Sequence, residues 1–567
     1  MRFALGRYEA GVRARAAALD SMRAAERIFA RDAAFWGGDD ERKRLVADRL
    51  GWLGVASYTR EHVAALQAFA LQVRAAGFRD AVLLGMGGSS LAPEVLRCAF
   101  GSGHGWLALH VLDTTDPATI GALVEQIDPA RTLFFVSSKS GTTIEALSLF
   151  AYFYGLVRAV KGEGAGENFV AVTDAGTALQ DLARERGFRH VFTNPSDIGG
   201  RYSALSYFGM APAAVAGIDV ATLLDRSIAA ADEAKAAGGD ALRLGAALGE
   251  LALAGRDKAT FIVAPRIGEF GLWVEQLIAE STGKLGRGIL PVVGEPLGAP
   301  GQYGADRVFV QLRLAGETPA EQDAAVGALS DAGHPAIVIE LADVYDLGRE
   351  FFRWEFAVAV AGYVLGINPF DEPNVQESKE NTGRVLKEFE RDGKLDIDRI
   401  DAGTAPVALV SPDRAAEGTL DDAVGHLIDK LRDGDYFAIT AYVRQTEETE
   451  AAFADVRAAV RDATQTATTL GYGPRFLHST GQLHKGGPPK GLFLQVTAAD
   501  DVDTAIPGRP FTFGQLKRAQ AIGDFEALLQ HGRPALRVHL GNDIGGGLAA
   551  LRRAVRAGAA ARAGAQR

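Results

Sequence analysis

Leu133-Phe134-Phe135-Val136-Ser137-Ser138-Lys139-Ser140-Gly141-Thr142-Thr143 is the stretch on which the fold reading turns. Its four leading apolar residues read as a buried strand, and the pattern after Thr143 reads as a helix to about Leu156. Between them lie five hydroxyls, a lysine and a glycine. A helix N-terminus offers free N–H groups and a favourable dipole to an anion, so this loop suits a dianionic phosphate. Ordinary N-capping would need one or two hydroxyls rather than five.

The same strand–turn–helix grammar repeats on both sides. Ala81-Val82-Leu83-Leu84, Leu109-His110-Val111-Leu112 and Phe169-Val170-Ala171-Val172 are short apolar runs separated by helical stretches. Together they predict an α/β chain with doubly wound parallel sheets flanked by helices. An Ala-, Gly- and Asp-rich break near 235–250 precedes a second series, which starts at Phe261-Ile262-Val263-Ala264 and continues through Val308-Phe309-Val310 and Ala336-Ile337-Val338-Ile339. A third series starts near Tyr436-Phe437-Ala438-Ile439.

The second and third series look related. Gly301-Gln302 followed by Val308-Phe309-Val310-Gln311-Leu312 parallels Gly481-Gln482 followed by Leu492-Phe493-Leu494-Gln495-Val496; Gly333-His334-Pro335-Ala336 parallels Gly532-Arg533-Pro534-Ala535. The expected division is therefore an N-terminal helical segment at 1–58, α/β units at 59–235 and 236–402, and a third, degenerate repeat of the second at 403–567. Residues 8–35 read as one opening helix, and the tail from Ala549 as an Ala/Arg helix that frays.

Across 567 residues the hydrophobic content is 47% and the charged content 23%, which is ordinary for a water-soluble chain with several cores. The net charge of -11 argues against nucleic acid as a partner, because a phosphate backbone demands a basic face. One cysteine, Cys98, permits no intrachain disulfide. The longest apolar run, Phe356 to Ile367, is too short for a membrane span. The expectation is a cytoplasmic protein.

Three further stretches carry chemistry. Gly85-Met86-Gly87-Gly88-Ser89-Ser90 lets backbone approach a ligand at a helix start, but it lacks the third glycine and the acidic spacing of a dinucleotide site. Asn194-Pro195-Ser196-Asp197-Ile198-Gly199-Gly200-Arg201-Tyr202-Ser203 presents a guanidinium on a turn, suited to a developing oxyanion. Gln276 and Glu280, four apart, share one helix face.

In that order, Gly-x-Gly-Gly-Ser, Ser-Lys-Ser-Gly-Thr-Thr, Gly-Gly-Arg-x-Ser and Gln-x-x-x-Glu resemble the signature of the phosphoglucose isomerases, of sugar isomerase fold. Asn368-Pro369-Phe370-Asp371-Glu372-Pro373-Asn374-Val375-Gln376-Glu377-Ser378-Lys379 resembles a block of the short bacterial members. The region beyond about 400 is similar to the isomerase half of transaldolase–isomerase fusion proteins, without the transaldolase part. The resemblance implies that Gly88 and Ser89 contact the sugar, and that Ser138, Lys139, Ser140 and Thr143 cradle its phosphate. It implies that Gly200 and Arg201 face an enediolate, Gln276 orients substrate, Glu280 is the base and Lys379 assists ring opening. It implies no metal or other cofactor, a small phosphosugar as substrate, and a homodimer.

One departure stands out. The short bacterial members carry a histidine in a Leu-His-Ser-x-Gly-Gln block after the base, where this chain reads Leu297-Gly298-Ala299-Pro300-Gly301-Gln302. The block recurs as Leu477-His478-Ser479-Thr480-Gly481-Gln482 in the third series, so the duplication is expected to have split the labour: the second unit keeps Glu280, the third keeps His478, and no carboxylate stands at the equivalent of Glu280, about Val456. His484 and Lys485, read as a polar turn, are the alternative pair. Three other activities compete with glucose phosphate isomerisation. A glucose/mannose phosphate isomerase shares the base. A sugar-phosphate sensor would have no use for the Gln276/Glu280 pair. An amidotransferase needs an N-terminal cysteine, whereas Cys98 lies mid-chain.

Overall fold

A computed structural model describes residues 1–393, 408–410 and 418–565; the expected boundary at 402–403 lies outside them. The chain opens with a strand that the helical reading of its first residues missed, β1 (Arg2–Ala4). The single helix expected over 8–35 is broken into Glu9–Ser21 and Ala24–Phe29 with short 3-10 turns around them, because Arg23 adopts a left-handed backbone conformation, φ 56°.

The first sheet contains β2 (Asp80–Leu84), β3 (Ala108–Leu112), β4 (Thr132–Ser137), β5 (Phe169–Asp174) and β6 (His190–Asn194). Its order is β3-β2-β4-β5-β6 and every pairing is parallel. Every residue of β4 and β5 is buried, as parallel strands covered by helices on both faces require. β6 escaped the sequence reading because His190 and Thr193 interrupt its apolar run.

The second sheet holds β7 (Lys258–Val263), β8 (Leu290–Val292), β9 (Arg307–Leu314) and β10 (Ala336–Leu341), with β1 antiparallel on its edge, in the order β1-β10-β9-β7-β8. The third holds β11 (Ala408–Val410), β12 (Tyr436–Tyr442), β13 (Ala467–Tyr472), β14 (Gly491–Thr497) and β15 (Ala535–His539), in the order β11-β15-β14-β12-β13. The two orders correspond strand for strand, including an antiparallel edge strand beside the last parallel one. The registers correspond as well. Phe309 pairs with Ala336 as Phe493 pairs with Ala535, and Lys258 pairs with Leu290 and Arg307 as Tyr436 pairs with Ala467 and Gly491.

Helices follow the same plan, with Phe270–Thr282 after β7 matched by Glu447–Thr464 after β12, and Leu347–Leu365 after β10 matched by Ile544–Ala565 after β15. That last helix is the tail expected to fray. It is docked instead: Leu548, Leu551, Ala554 and Val555 are buried in the core of the third unit.

Helix Leu347–Leu365 packs closely on helix Asp240–Leu253, where a side chain at Gly245 would strike the Ala357 carbonyl. Midway along it Glu355 is fully buried, and neither carboxyl oxygen has a hydrogen-bond partner. Burial alone pushes its pKa well above the usual range, which favours the neutral carboxyl in the fold. An acid with a raised folded pKa costs stability as pH climbs from its unfolded value toward its folded one, by up to ~1.4 kcal/mol per pH unit. Glu355→Met should therefore stabilise the protein, and by more at pH 8 than at pH 5, measured by urea unfolding; an equal gain at both pH values would show that Glu355 is already ionised in the fold across that range.

Candidate active site

The glycines of the first loop act by bringing chains together. A side chain on Gly88 would collide with the carbonyl of Gly200, so the loop after β2 lies directly on the turn that carries Arg201. Gly87, at φ 55°, sits where a Cβ would be 2.9 Å from Gln276 Nε2 and 2.8 Å from the His478 carbonyl oxygen. Gln276 Nε2 in turn donates to that same carbonyl at 2.7 Å. Residues from all three units thus converge on one backbone contact.

Arg201 is 2% exposed and four of its five N–H donors are engaged, which leaves one on Nη1. Nε donates to Ser281 Oγ (2.8 Å), Nη1 to Glu372 Oε2 (2.9 Å), and Nη2 to the carbonyls of Pro369 (2.8 Å) and Asp371 (3.1 Å). Glu280, 6% exposed, stands 3.8 Å from Nη1 and has no hydrogen bond to a described residue. Burial pushes its pKa up to about 7; the charge of Arg201 opposes this, that of Glu372 adds to it, and those of Lys284 and His478 oppose it. A carboxyl poised near neutrality, unbonded and beside a guanidinium, is equipped to take and return a proton. Lys284, missed in the sequence, is buried against Asp371 (2.6 Å), and desolvation together with the Arg201 charge pushes its pKa down to about 8.

Beside this lies a cavity of about 220 Å³ lined by Thr142, Thr143, Glu145, Lys379, His478 and Gln520, among others. The His478 Nε2 is 2.9 Å from Glu145 Oε1, and Gln520 Nε2 donates to the same oxygen at 2.7 Å. Burial would raise the Glu145 pKa, but the charge and hydrogen bond of His478, with the charge of Lys379, hold it below the ordinary value. An ionised carboxylate only accepts, so Nε2 carries its proton and the lone pair of the neutral ring is on Nδ1. Glu145, the second residue of the helix after the hydroxyl loop, and Gln520 were not singled out in the sequence.

The hydroxyl loop is partly self-engaged. Ser138 Oγ and Thr143 Oγ1 are 2.8 Å apart, Ser140 Oγ and Thr142 Oγ1 3.0 Å, and Ser137 Oγ donates to the Ser89 carbonyl at 3.2 Å. Thr143 occupies the N-cap of helix Ile144–Lys161 without a side-chain capping bond, so capping does not account for the hydroxyls. Lys139 is turned toward Asp174, with a second bond to the Ser196 carbonyl (3.2 Å), and Asp174 belongs to the end of β5. Glu280, Arg201, Ser138 and Lys139 do not line the 220 Å³ cavity; Ser138 reaches its wall through Thr143, and Gln276 reaches it through the His478 carbonyl.

The alternative pair departs from expectation. His484 and Lys485 lie in the short helix Gly481–Gly486 rather than in a polar turn. The His484 ring is buried against Phe493 (centroids 5.0 Å) with both nitrogens unpartnered, and its burial pushes the pKa well down; Lys485 is buried in an ion pair with Asp524. The ring is not among the side chains that line the cavity.

Among the described residues no cluster of three or more metal-ligating side chains is present, and no helix is long and apolar enough to cross a membrane.

The strand orders and the placement of the loops define a sugar isomerase fold. A hypothetical protein of Thermus thermophilus matches 69% of this chain and 100% of its own at a TM-score of 0.55 and 26% identity. A glucose-6-phosphate isomerase of Chlamydia trachomatis matches 61% and 76% at 0.51 and 21% identity, a likeness of fold. The family model for phosphoglucose isomerase matches residues 60–284, from the helix before the first sheet to the end of the Glu280 helix. The glucose-6-phosphate isomerase of Rubrobacter xylanophilus is 32% identical over 374 residues, 57% of this chain and 86% of that one. That of Thermus thermophilus is 29% identical over 398 residues, 61% and 94%. The chain belongs to the phosphoglucose isomerase family, a family of aldose–ketose isomerases.

The Glu280 environment generates a pH prediction. Removing the Glu372 charge takes away a repulsion that raises the Glu280 pKa, so Glu372→Gln should move the acid limb of kcat/KM to lower pH. That limb should lie near pH 7 in the unmodified protein, because the base works only when ionised. An unmoved limb in pH–rate profiles of the two proteins would assign it to another group.

Proposed function

We propose that this chain interconverts glucose 6-phosphate and fructose 6-phosphate through ring opening and a cis-enediol. The observation that carries the reading is Glu280, a buried, unbonded carboxyl with a pKa of about 7 beside Arg201. In the proposed sequence, His478 Nδ1 takes the C1 hydroxyl proton while the Lys379 ammonium protonates the ring oxygen as the C1–O5 bond breaks. Glu280 then removes the proton from C2 and returns it to C1 while the proton of the C2 hydroxyl passes to O1, and the charge gathered on oxygen between these steps is stabilised by Arg201. Ser138, Ser140 and Thr143, at the open N-terminus of their helix, hold the phosphate, and Lys139, ion-paired to Asp174, sets the loop that carries them. Gly88, Ser89 and Gly200 form the backbone wall against the sugar, and Gln276 fixes the His478 segment. Because His478 comes from the third unit of the same chain, this arrangement needs no second subunit for that residue. No metal or other cofactor is called on.

Glu280→Gln should lower isomerisation by ~10²–10⁴ with phosphosugar affinity retained, and should abolish exchange of C2 deuterium with solvent. Retention of more than about a tenth of the rate would remove Glu280 from the role.

His478→Ala tests the division of labour between the two repeats. The variant should be slow on the cyclic hexose phosphate and much less impaired on an open-chain substrate of the same length, whereas Glu280→Gln should be slow on both. Equal loss on both substrates would take ring opening away from His478.

A further inference from the structure

A second cavity, of about 530 Å³, lies where β8 and β13 bring the second and third sheets edge to edge. Its lining includes Val293, Gly294 and Glu295 at the end of β8 and Leu470, Gly471 and Tyr472 at the end of β13. With Leu290 equivalent to Ala467, these are the same three positions in the two repeats. The cavity therefore straddles the axis that relates the repeats, and none of the residues assigned to isomerisation lines it.

The lining carries four carboxyl groups, Glu269, Glu275, Glu295 and Glu450, and two guanidinium groups, Arg457 and Arg475. The guanidinium groups are already committed. Arg457 donates to the carbonyls of Val293, Gly294 and Thr468, each at 2.8 Å, and Arg475 makes a two-pronged contact with Asp113 at 2.8 and 2.9 Å. Glu295 is held by Arg307, and Glu450 accepts from Gln445 at 2.8 Å. Glu269 and Glu275 have no hydrogen bond or ion pair to a described residue. Glu275 is only 6% exposed, and the neighbouring Ser479, 3% exposed, has an Oγ with no partner. A buried carboxyl and a buried hydroxyl thus face a cavity that offers them nothing, and such groups are costly unless something satisfies them.

An occupant matched to this lining brings N–H donors and positive charge, because Glu269 and Glu275 have no partner among the described residues while both guanidinium groups do. It must also bring an apolar stem, because Leu91, Phe261, Leu272 and Phe476 form much of the wall. An anion would meet the unpaired carboxyl groups with no uncommitted guanidinium to hold it. We propose that this cavity binds an aliphatic polyamine, its ammonium groups on Glu269 and Glu275 and its methylene segments against the apolar wall.

Burial keeps the Glu275 carboxyl protonated up to about pH 8, although the charges of Arg457 and Arg475 oppose this. Glu269, facing Arg475 and Glu450, is also raised by its burial. An ammonium docked against Glu275 favours the ionised form, so binding at pH 7 should release a proton.

The experiment is calorimetric titration of the full chain, without substrate, with spermidine, and with sodium and magnesium chloride at matched ionic strength. Saturable binding of spermidine is expected, with a heat that varies with the ionisation enthalpy of the buffer. Glu269→Gln and Glu275→Gln should each weaken binding by about tenfold or more. Absence of saturable binding at millimolar spermidine, equal binding of magnesium, or affinity unchanged in both variants would each overturn the proposal. The buffer dependence is read on the unmodified protein, so a variant that fails to fold leaves a decisive measurement in place: a heat independent of buffer also rejects it.

Discussion

The guanidinium of Arg201 is a full charge removed from water, and it persists there because four of its five donors are hydrogen-bonded and two carboxyl groups stand beside it. Its partners come from the Glu280 helix and from the loop Pro369–Glu372, while its own turn rests on Gly88 of the first unit. Burying an ion costs several kcal/mol unless its geometry is well satisfied, so these segments are not free to shift independently. Aromatic packing around the neighbouring Tyr202, against Trp52 and Phe370, holds the same junction from the outside. The position and protonation of Glu280 are set by that junction: what raises the Glu280 pKa is the burial that the junction creates, and what keeps it from rising further is Arg201.

The second and third units share one strand order and differ at the positions that carry charge. Counting back ten residues from Leu290 and from Ala467 matches Glu280 with Arg457, the neighbour of the Val456 read from sequence. The chemical inversion is complete, from a carboxyl to a guanidinium, and Arg457 clamps the carbonyls that follow β8 of the other repeat. At the histidine position the change runs the other way, with Gly298 in the second unit and His478 in the third. One repeat retains the group proposed as base, the other the group proposed for ring opening, and Arg457 has become part of the contact between them.

Much of this was legible because hydrophobic runs and loop chemistry are local. The apolar runs at 81–84, 133–136, 308–312 and 492–496 could only be buried strands, and Gly283 marked the end of the Glu280 helix. Strands with short or mixed runs, such as β8 and β6, were not legible, since their burial depends on neighbours distant in sequence. The same limit applied to the site. Gln276, Glu280, Arg201 and His478 stood in recognisable words, but Glu145, Lys284 and Gln520 acquire their surroundings only when the units pack together. His484 looked like a turn residue because Gly481, Gly486 and Gly487 surround it in the chain, whereas its aromatic neighbours Tyr436 and Phe493 lie on two strands of the third sheet.

The edge strand β1 has a bearing on how the molecule assembles. Residues 2–4 pair with residues 336–338, so the second sheet is closed by a strand that precedes the whole first sheet in the chain. During synthesis these three residues are made before the first sheet and remain unpaired until β10 has emerged, by which time the whole first sheet is available to fold. The corresponding strand of the third sheet, β11, is made immediately before its own unit and waits for a much shorter span. Long-range pairing of this kind is slow to form because the loop must close before any contact rewards it. The second sheet is therefore the slow-maturing part of the chain, and until β1 docks it presents β10 as an open edge to other nascent chains.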